Sequence, residues 1–383
     1  MRSHLRAIIV LTLAAGLLAL FLHNVDLWRV VGAIGRARPE WLALSLATMF
    51  VSLAIRALRW QYLLEPLGKT SFGNAFRATA VGFAASTVLP ARAGELIRPY
   101  FLARHEHMSA TGAFATVILE RLLDTLTVLV LLGSFVFVFG RELSAAKPVV
   151  FAAVKWAGAT AGAVALAALV VLFVLAGDPA RLGRTMRRLE EVVPSALAGL
   201  IARVAEKFAT GLGAIRRPGR LLVALVWSFP LWLSIALGIW AVAVAFRFAV
   251  PFTGSFLLVA LLVIGVAVPT PGAIGGFHEA FRVGATVFYG AADDAAVGAA
   301  IVLHLFSIGP SLLLGLFFAA QVGLNLSGMR RLAEREGQGP QRGGRAGVPG
   351  ARQHEREWAP SQSLGDVGRG SKSGVGSPAR VKE

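Results

Sequence analysis

Long apolar runs, punctuated by short polar breaks, set the pattern of this chain. Stretches free of Asp, Glu, Lys and Arg cover Ala7–Asn24, Thr125–Gly140, Trp156–Gly177, Leu221–Phe246, Phe248–His278 and Ala295–Met329. About 20 predominantly apolar residues suffice for a helix to cross a bilayer. The pattern therefore predicts helices over about 7–23, 41–58, 75–90, 112–140, 149–176, 221–246, 254–268, 277–290 and 296–326. Segments 75–90 and 254–268 are too short to cross, and each ends at a Pro/Gly break followed by charge.

The two breaks read alike. The first is Leu89-Pro90-Ala91-Arg92-Ala93-Gly94-Glu95-Leu96-Ile97-Arg98. The second runs Pro269-Thr270-Pro271-Gly272-Ala273-Ile274-Gly275-Gly276-Phe277-His278-Glu279-Ala280-Phe281-Arg282. Both close on Glu-x-x-Arg. Irregular, charged backbone at membrane depth is tolerated only where protein buries it or a wet cavity receives it. The pattern thus predicts a polar interior site built twice, with breaks set by Pro90, Gly94, Pro269, Pro271, Gly272, Gly275 and Gly276.

Charge distribution supplies a topology. Segment 178–220 holds nine Arg and Lys against four acids, and 329–383 holds eleven against six. If every predicted helix crosses from a cytoplasmic N-terminus, the basic segment 178–220 falls outside, against the positive-inside rule. Letting 75–104 enter and leave on the cytoplasmic side returns that segment to the cytoplasm. Segment 254–290 then becomes a second hairpin opening from the other face. The expected fold is all-α and polytopic: about six full spans plus two re-entrant broken-helix hairpins, related as an inverted repeat. Transporters of that design place their sites where broken helices meet.

Composition narrows the class. The chain is 56% hydrophobic and 15% charged, with mean hydropathy +0.68. It contains no cysteine, which excludes disulfides and thiolate chemistry. The net charge of +17 comes without an aromatic-basic module, so nucleic acid is not an expected partner. Arg2 and Arg6 ahead of the first apolar run suggest a signal peptide, but no small-x-small site follows Leu20, so a retained helix is expected. Residues 1–328 are expected to form the membrane domain. Within it, 180–218 reads as an amphipathic basic helix on the inner leaflet. Residues 329–383 read as a disordered basic tail.

The densest candidate group is Arg92, Glu95 and Arg98 with Glu120, Arg121 and Asp124. Glu120 and Asp124 are four apart and share a helical face. Each ionisable group within a span costs about 2.5–3.5 kcal/mol on insertion scales, so such groups pair or line a wet path. Pairs of the type Glu95–Arg121 or Arg98–Asp124 would do either. Glu279, Arg282 and His278 form the second group, beside a helix start able to face an anion. Arg56 and Arg59, ending the second span, are expected to reach lipid headgroups. His105-Glu106-His107 lacks helical metal spacing, no phosphate-binding Gly-Lys loop or nucleophile elbow is present, and no metal or cofactor is expected. His304 is expected to be a packing residue.

These residues resemble a known family. Arg56–Trp60 with Leu63, Leu64 and Gly68 is similar to the R-x-x-R-W-x-x-L-L-x-x-x-G element of the lysylphosphatidylglycerol-synthase transmembrane-region family, also called flippase-like or uncharacterised family 0104. The stretch Leu89 to Arg98 resembles its L-P-x-R-x-G-E-x-x-R core, and Ala115 to Asp124 its A-T-V-x-x-E-R-x-x-D. Pro269 to Gly275 resembles its P-x-P-G-G-x-G, with Ala273 where that pattern has Gly. The resemblance implies flippase-type activity in a multi-pass protein of a bacterial-type inner membrane, with both termini cytoplasmic. Its partner would be an anionic phospholipid or lipid-linked precursor. Some members carry an aminoacyl-transferase domain; a tail of this length has no room for one, so an enzyme is not expected. The alternatives are a secondary transporter of a small solute and a non-transporting scaffold for lipid or glycan synthesis. Oligomeric state is left open.

Overall fold

The computed structural model describes residues 26–89, 92–177, 195–214, 216–267 and 270–321. The first predicted span (7–23), Pro90, Pro269, the basic stretch 178–194 and the tail 329–383 lie outside the described residues. Among the described residues the chain is helical, with no strand. Five helices are long and apolar enough to cross a membrane. They are α2 (Pro39–Leu64), α5 (Ala110–Ala146), α6 (Pro148–Gly177), α8 (Pro218–Ala245) and α11 (Asp293–Gln321). The pattern reading located each of them. Segment 7–23 would complete the expected six.

Local chemistry fixes the helix ends. In the short α1 (Leu27–Gly35), which the apolar pattern does not predict, Asp26 caps the N-terminus by accepting from the Trp28 and Arg29 amides at 3.0 and 3.3 Å. Pro39 opens α2, where its missing N–H costs nothing. Ser71 caps α3 (Phe72–Val88), accepting from the Asn74 amide at 3.1 Å. That helix stops at Leu89, whose extended backbone (φ −98°, ψ 144°) is what a following proline imposes.

Two pairs of short helices form antiparallel hairpins. The first joins α3 to α4 (Gly94–His105). Its base is tied where Glu106 accepts from the Ser71 amide and the Asn74 side chain at 3.1 and 2.9 Å. The second joins α9 (Ser255–Ala267) to α10 (Gly276–Val283), which continues as a π-turn through Phe288. The Tyr289 hydroxyl closes its base by donating to the Gly254 carbonyl at 2.8 Å. At about 1.5 Å per residue, the 17-residue α3 is about 26 Å long and the 13-residue α9 about 20 Å, both short of a 30 Å core.

Each hairpin closes on a glycine pair. A side chain on Gly94 would collide with the Gly82 carbonyl and Ser86, and one on Gly265 with the Gly276 carbonyl. Lipid offers no hydrophobic drive between helices, so close backbone packing of this kind holds membrane hairpins together. The apolar core divides accordingly. Trp60, Val81, Ile97, Leu102 and Val117 surround the first hairpin. Phe256, Leu258, Phe277, Phe281 and Leu303 surround the second. At the tips, Gly272 lies against Thr87, so that a Cβ there would stand 3.5 Å from the Thr87 methyl. The expected basic amphipathic segment is helical over Ser195–Gly211 (α7), and its end packs on the start of α5, Gly211 against Gly112.

Candidate functional site

Three separate sequence segments converge on one buried ionic cluster. Arg56, Arg59 and Trp60 sit at i, i+3 and i+4 of α2 and so share a face. Glu120 and Asp124 occupy one face of α5, and Arg98 enters from α4. Arg59 meets Asp124 at 2.7 Å and Glu120 at 3.2 Å. Arg56 reaches the same two carboxylates at 3.2 and 3.3 Å. Arg98 pairs with Glu120 at 3.1 Å and lays its guanidinium 3.9 Å from the centre of the Trp60 ring, a cation–π contact. Arg59 and Glu120 are completely buried.

This arrangement corrects one expectation. Arg56 and Arg59 do not extend to headgroups at the membrane surface; their shared face turns toward α5, and two carboxylates hold them inside. Of the two pairings anticipated from sequence, Glu95–Arg121 forms, at 3.6 Å, while Arg98 takes Glu120 rather than Asp124.

A second tier of the cluster is open. Arg121 reaches Asp124 and Glu95, each at 3.6 Å, and Arg92 lies 3.8 Å from Glu95. The side chains of Arg92, Glu95 and Arg121 are 44, 33 and 36% exposed, against 8% or less for Arg56, Arg59, Arg98, Glu120 and Asp124. Arg92 sits at the hairpin tip with φ 53°, a left-handed conformation uncommon for a residue with a side chain. Strain of that kind persists only where surrounding structure holds it.

These groups line a cavity of about 610 Å³. Arg56, Arg92, Glu95, Arg98, Arg121 and Asp124 form its charged end. Its remaining wall is largely apolar: Leu53 of α2, Ile239 of α8, Leu262 and Val266 of α9, Phe277 of α10, and Leu303 and Phe306 of α11. Both hairpin tips contribute, through Ser86 and Thr87 on one side and Thr270, Gly272 and Ala273 on the other. The volume lies within the roughly 300–1,000 Å³ usual for small-molecule sites.

Glu279 and Arg282 do not join this cluster. Arg282 makes a two-pronged contact with Asp293 at the start of α11, both distances 2.6 Å, and lies 3.6 Å from Glu279. Neither residue lines the cavity. The second break contributes backbone instead: Pro271–Ala273 forms one short turn, and Gly272, Ala273 and Gly275 all have positive φ. Gly276 starts α10. The Gly272 carbonyl lies 2.7 Å from Nε2 of His304, so that histidine secures the tip as well as packing. His278 stacks beside it, ring centres 4.3 Å apart.

Two participants escaped the sequence reading. Ser228 and Trp232, one turn apart on α8, bind the inner tier: Arg59 donates to the Ser228 hydroxyl at 2.5 Å, and the Trp232 indole donates to Asp124 at 2.9 Å. Their only signal is a serine and a tryptophan four apart within an apolar run. Thr116, accepting from the Trp60 indole at 3.0 Å, lay inside a quoted motif but carried no assigned role.

Comparison with known proteins agrees with the motifs. The sequence profile described as lysylphosphatidylglycerol synthase TM region matches residues 7–315. The chain is 30% identical to the glycosyltransferase AglD of Haloferax volcanii over 129 residues, covering 32% of this chain and 21% of that protein. It is 28% identical over 104 residues to an uncharacterised-family-0104 membrane protein of Methanocaldococcus jannaschii, covering 26% of this chain and 31% of the relative. A similar membrane protein of Methanothermobacter thermautotrophicus is 31% identical over 109 residues, 26% of this chain and 32% of that one. Each match therefore spans less than a third of the relative's own length.

Proposed function

Because the chain belongs to the lysylphosphatidylglycerol synthase transmembrane-region family, we propose that this multi-pass membrane protein translocates an anionic phospholipid or lipid-linked precursor across the bilayer. The observation that carries the reading is the cavity's two-sided character. A surplus of guanidinium groups forms one end and aliphatic and aromatic side chains form much of the rest. An amphiphile with an anionic head and an apolar tail matches both ends, whereas a small polar solute leaves the apolar wall unused. Guanidinium presents a planar, bidentate partner to phosphate oxygens.

In this mechanism the two hairpins enter from opposite faces as an inverted repeat and meet at their tips. Small shifts of one tip against the other expose the cavity first to one leaflet and then to the other. The inner tier, Arg59, Glu120 and Asp124, holds α2, α5 and α8 together, while Arg92 and Arg121 take the headgroup. No bond of the lipid is made or broken. In this reading the basic segments 178–220 and 329–383 lie on the cytoplasmic side, as the positive-inside rule favours, both termini are cytoplasmic, and the membrane is a bacterial-type inner membrane.

Purified protein in liposomes carrying a headgroup-labelled anionic phospholipid or polyprenyl-phosphate lipid tests the reading. With a membrane-impermeant quencher, the wild type should expose lipid from both leaflets, and Arg121→Gln should not. If every labelled lipid keeps its leaflet with folded wild-type protein, translocation is refuted.

A further inference from the structure

We propose that the headgroup bound here carries two negative charges on phosphate, as a phosphomonoester or a diphosphate does, and that Glu95 holds the place between Arg92 and Arg121 that this phosphate takes on binding. The proposal rests on the translocator reading for its lipid and on the geometry of the cluster for its charge.

Ion pairs connect the cluster from end to end. Arg92 lies near Glu95, Glu95 near Arg121, Arg121 near Asp124, and Asp124 against Arg56 and Arg59; Glu120 collects Arg56, Arg59 and Arg98. Five guanidinium groups thus face three carboxylates, leaving two positive charges unbalanced. Besides the six charged residues already placed at its end, no ionisable side chain among the described residues lines the cavity. Uncompensated charge at membrane depth is costly, so the ligand that completes the cluster brings two negative charges.

Distance separates the fixed part from the exchangeable part. The inner pairs run from 2.7 to 3.3 Å, which is hydrogen-bonding range. Glu95 stands 3.6 and 3.8 Å from its two arginines, beyond that range, and all three side chains are a third or more exposed. One carboxylate, bridging two guanidinium groups loosely in the cavity wall, mimics the position of a phosphate. When Glu95 turns out of the space between them but stays beside the cluster, a phosphate with two charges and three terminal oxygens can engage Arg92 and Arg121 together. A phosphodiester, with one charge, restores only half of the balance.

A phosphomonoester loses its second proton near pH 6, so lowering the pH from 8 to 5 removes one of the ligand's two charges. The test measures binding of phosphatidic acid, phosphatidylglycerol and inorganic pyrophosphate to the full chain, wild type and Glu95→Gln, at pH 8 and pH 5. At pH 8 phosphatidic acid should bind at least about tenfold tighter than phosphatidylglycerol, and the gap should narrow at pH 5. Glu95→Gln should tighten phosphatidic acid and pyrophosphate, and Arg92→Gln should weaken both, with unchanged thermal melting in each variant. Equal binding of the two lipids at pH 8, weaker binding by Glu95→Gln, or no binding of any probe would overturn the proposal. Pyrophosphate bound by the wild type with neither lipid bound overturns the lipid source. The charge preference intact without lipid movement in liposomes overturns translocation alone.

Discussion

Arg59 of α2 and Asp124 of α5 meet at 2.7 Å with the arginine completely buried. The pair is further held by Ser228 and Trp232 of α8, so a single ionic contact fastens three helices. Removing one member of a buried pair strands the other's charge, at a cost of about 3–5 kcal/mol. Asp124→Asn and Arg59→Met should each lower the thermal midpoint of the detergent-solubilised protein sharply and reduce the amount recovered from membranes. Midpoints close to wild type would show that the inner tier is not a lock.

The outer tier should behave differently. Arg121 is 36% exposed in its side chain, and its contacts at 3.6 Å are loose. Arg121→Gln should shift the midpoint by a few degrees at most, equivalent to about 1 kcal/mol or less for a pair of this exposure, while ending lipid movement. Melting curves and liposome assays on one preparation separate the effects.

Close crossing of the hairpin helices gives a steric prediction. A methyl group on Gly94 or Gly265 collides with backbone, whereas one on Gly133 meets nothing within 4 Å. Overpacking a tight core costs about 1–3 kcal/mol, and a backbone clash lies at the upper end. Gly94→Ala and Gly265→Ala should both destabilise by about that much. Gly133→Ala, in α5, should be neutral or slightly stabilising by helix propensity.

Ala273 occupies left-handed backbone, φ 57°, at the second tip. Left-handed conformation costs a residue with a Cβ about 1–2 kcal/mol, and glycine returns part of that gain through its more flexible unfolded chain. Ala273→Gly should therefore be neutral or stabilise by up to about 1 kcal/mol, in contrast to the two substitutions above. Chemical denaturation in mild detergent reads the sign.

Arg282 tests where the site ends. Its two-pronged contact with Asp293 lies away from the cavity, and Asp293 is 45% exposed. Arg282→Gln should cost about 1 kcal/mol or less and leave the rate of lipid movement near wild type. Loss of movement without loss of stability would put the second Glu-x-x-Arg back into the site.

The spans and hairpins were legible because membrane depth forces a simple code. Apolar runs long enough to cross became α2, α5, α6, α8 and α11, and shorter runs ending at Pro/Gly became α3 and α9. The pairing of Glu120 with Asp124 on one face followed from helical periodicity. What remained hidden depended on rotation and partner choice. Whether Arg56 and Arg59 face lipid or protein is a matter of about half a turn of α2, and apolar flanks on all sides of that helix do not decide it. The likeness of the two Glu-x-x-Arg segments suggested two equivalent charged sites. In the fold, Gly94 places Glu95 and Arg98 at the start of α4, beside α5, whereas two residues, Phe277 and His278, separate Gly276 from Glu279, turning Arg282 toward α11. Ser228 and Trp232 were silent because a serine or tryptophan in an apolar helix has many roles, and only the fold places these two beside Arg59 and Asp124.

The most direct measurement exploits the absence of cysteine from the chain. Ser307 of α11 lines the cavity, while Leu313 of the same helix is 70% exposed on its outer surface. Single variants Ser307→Cys and Leu313→Cys, each treated with a bulky thiol reagent, compare a plugged cavity with a decorated exterior. If lipid passes between the hairpins, modification of Ser307→Cys stops its movement in liposomes and modification of Leu313→Cys does not. Movement that continues with the thiol at position 307 fully modified would contradict the cavity as the path.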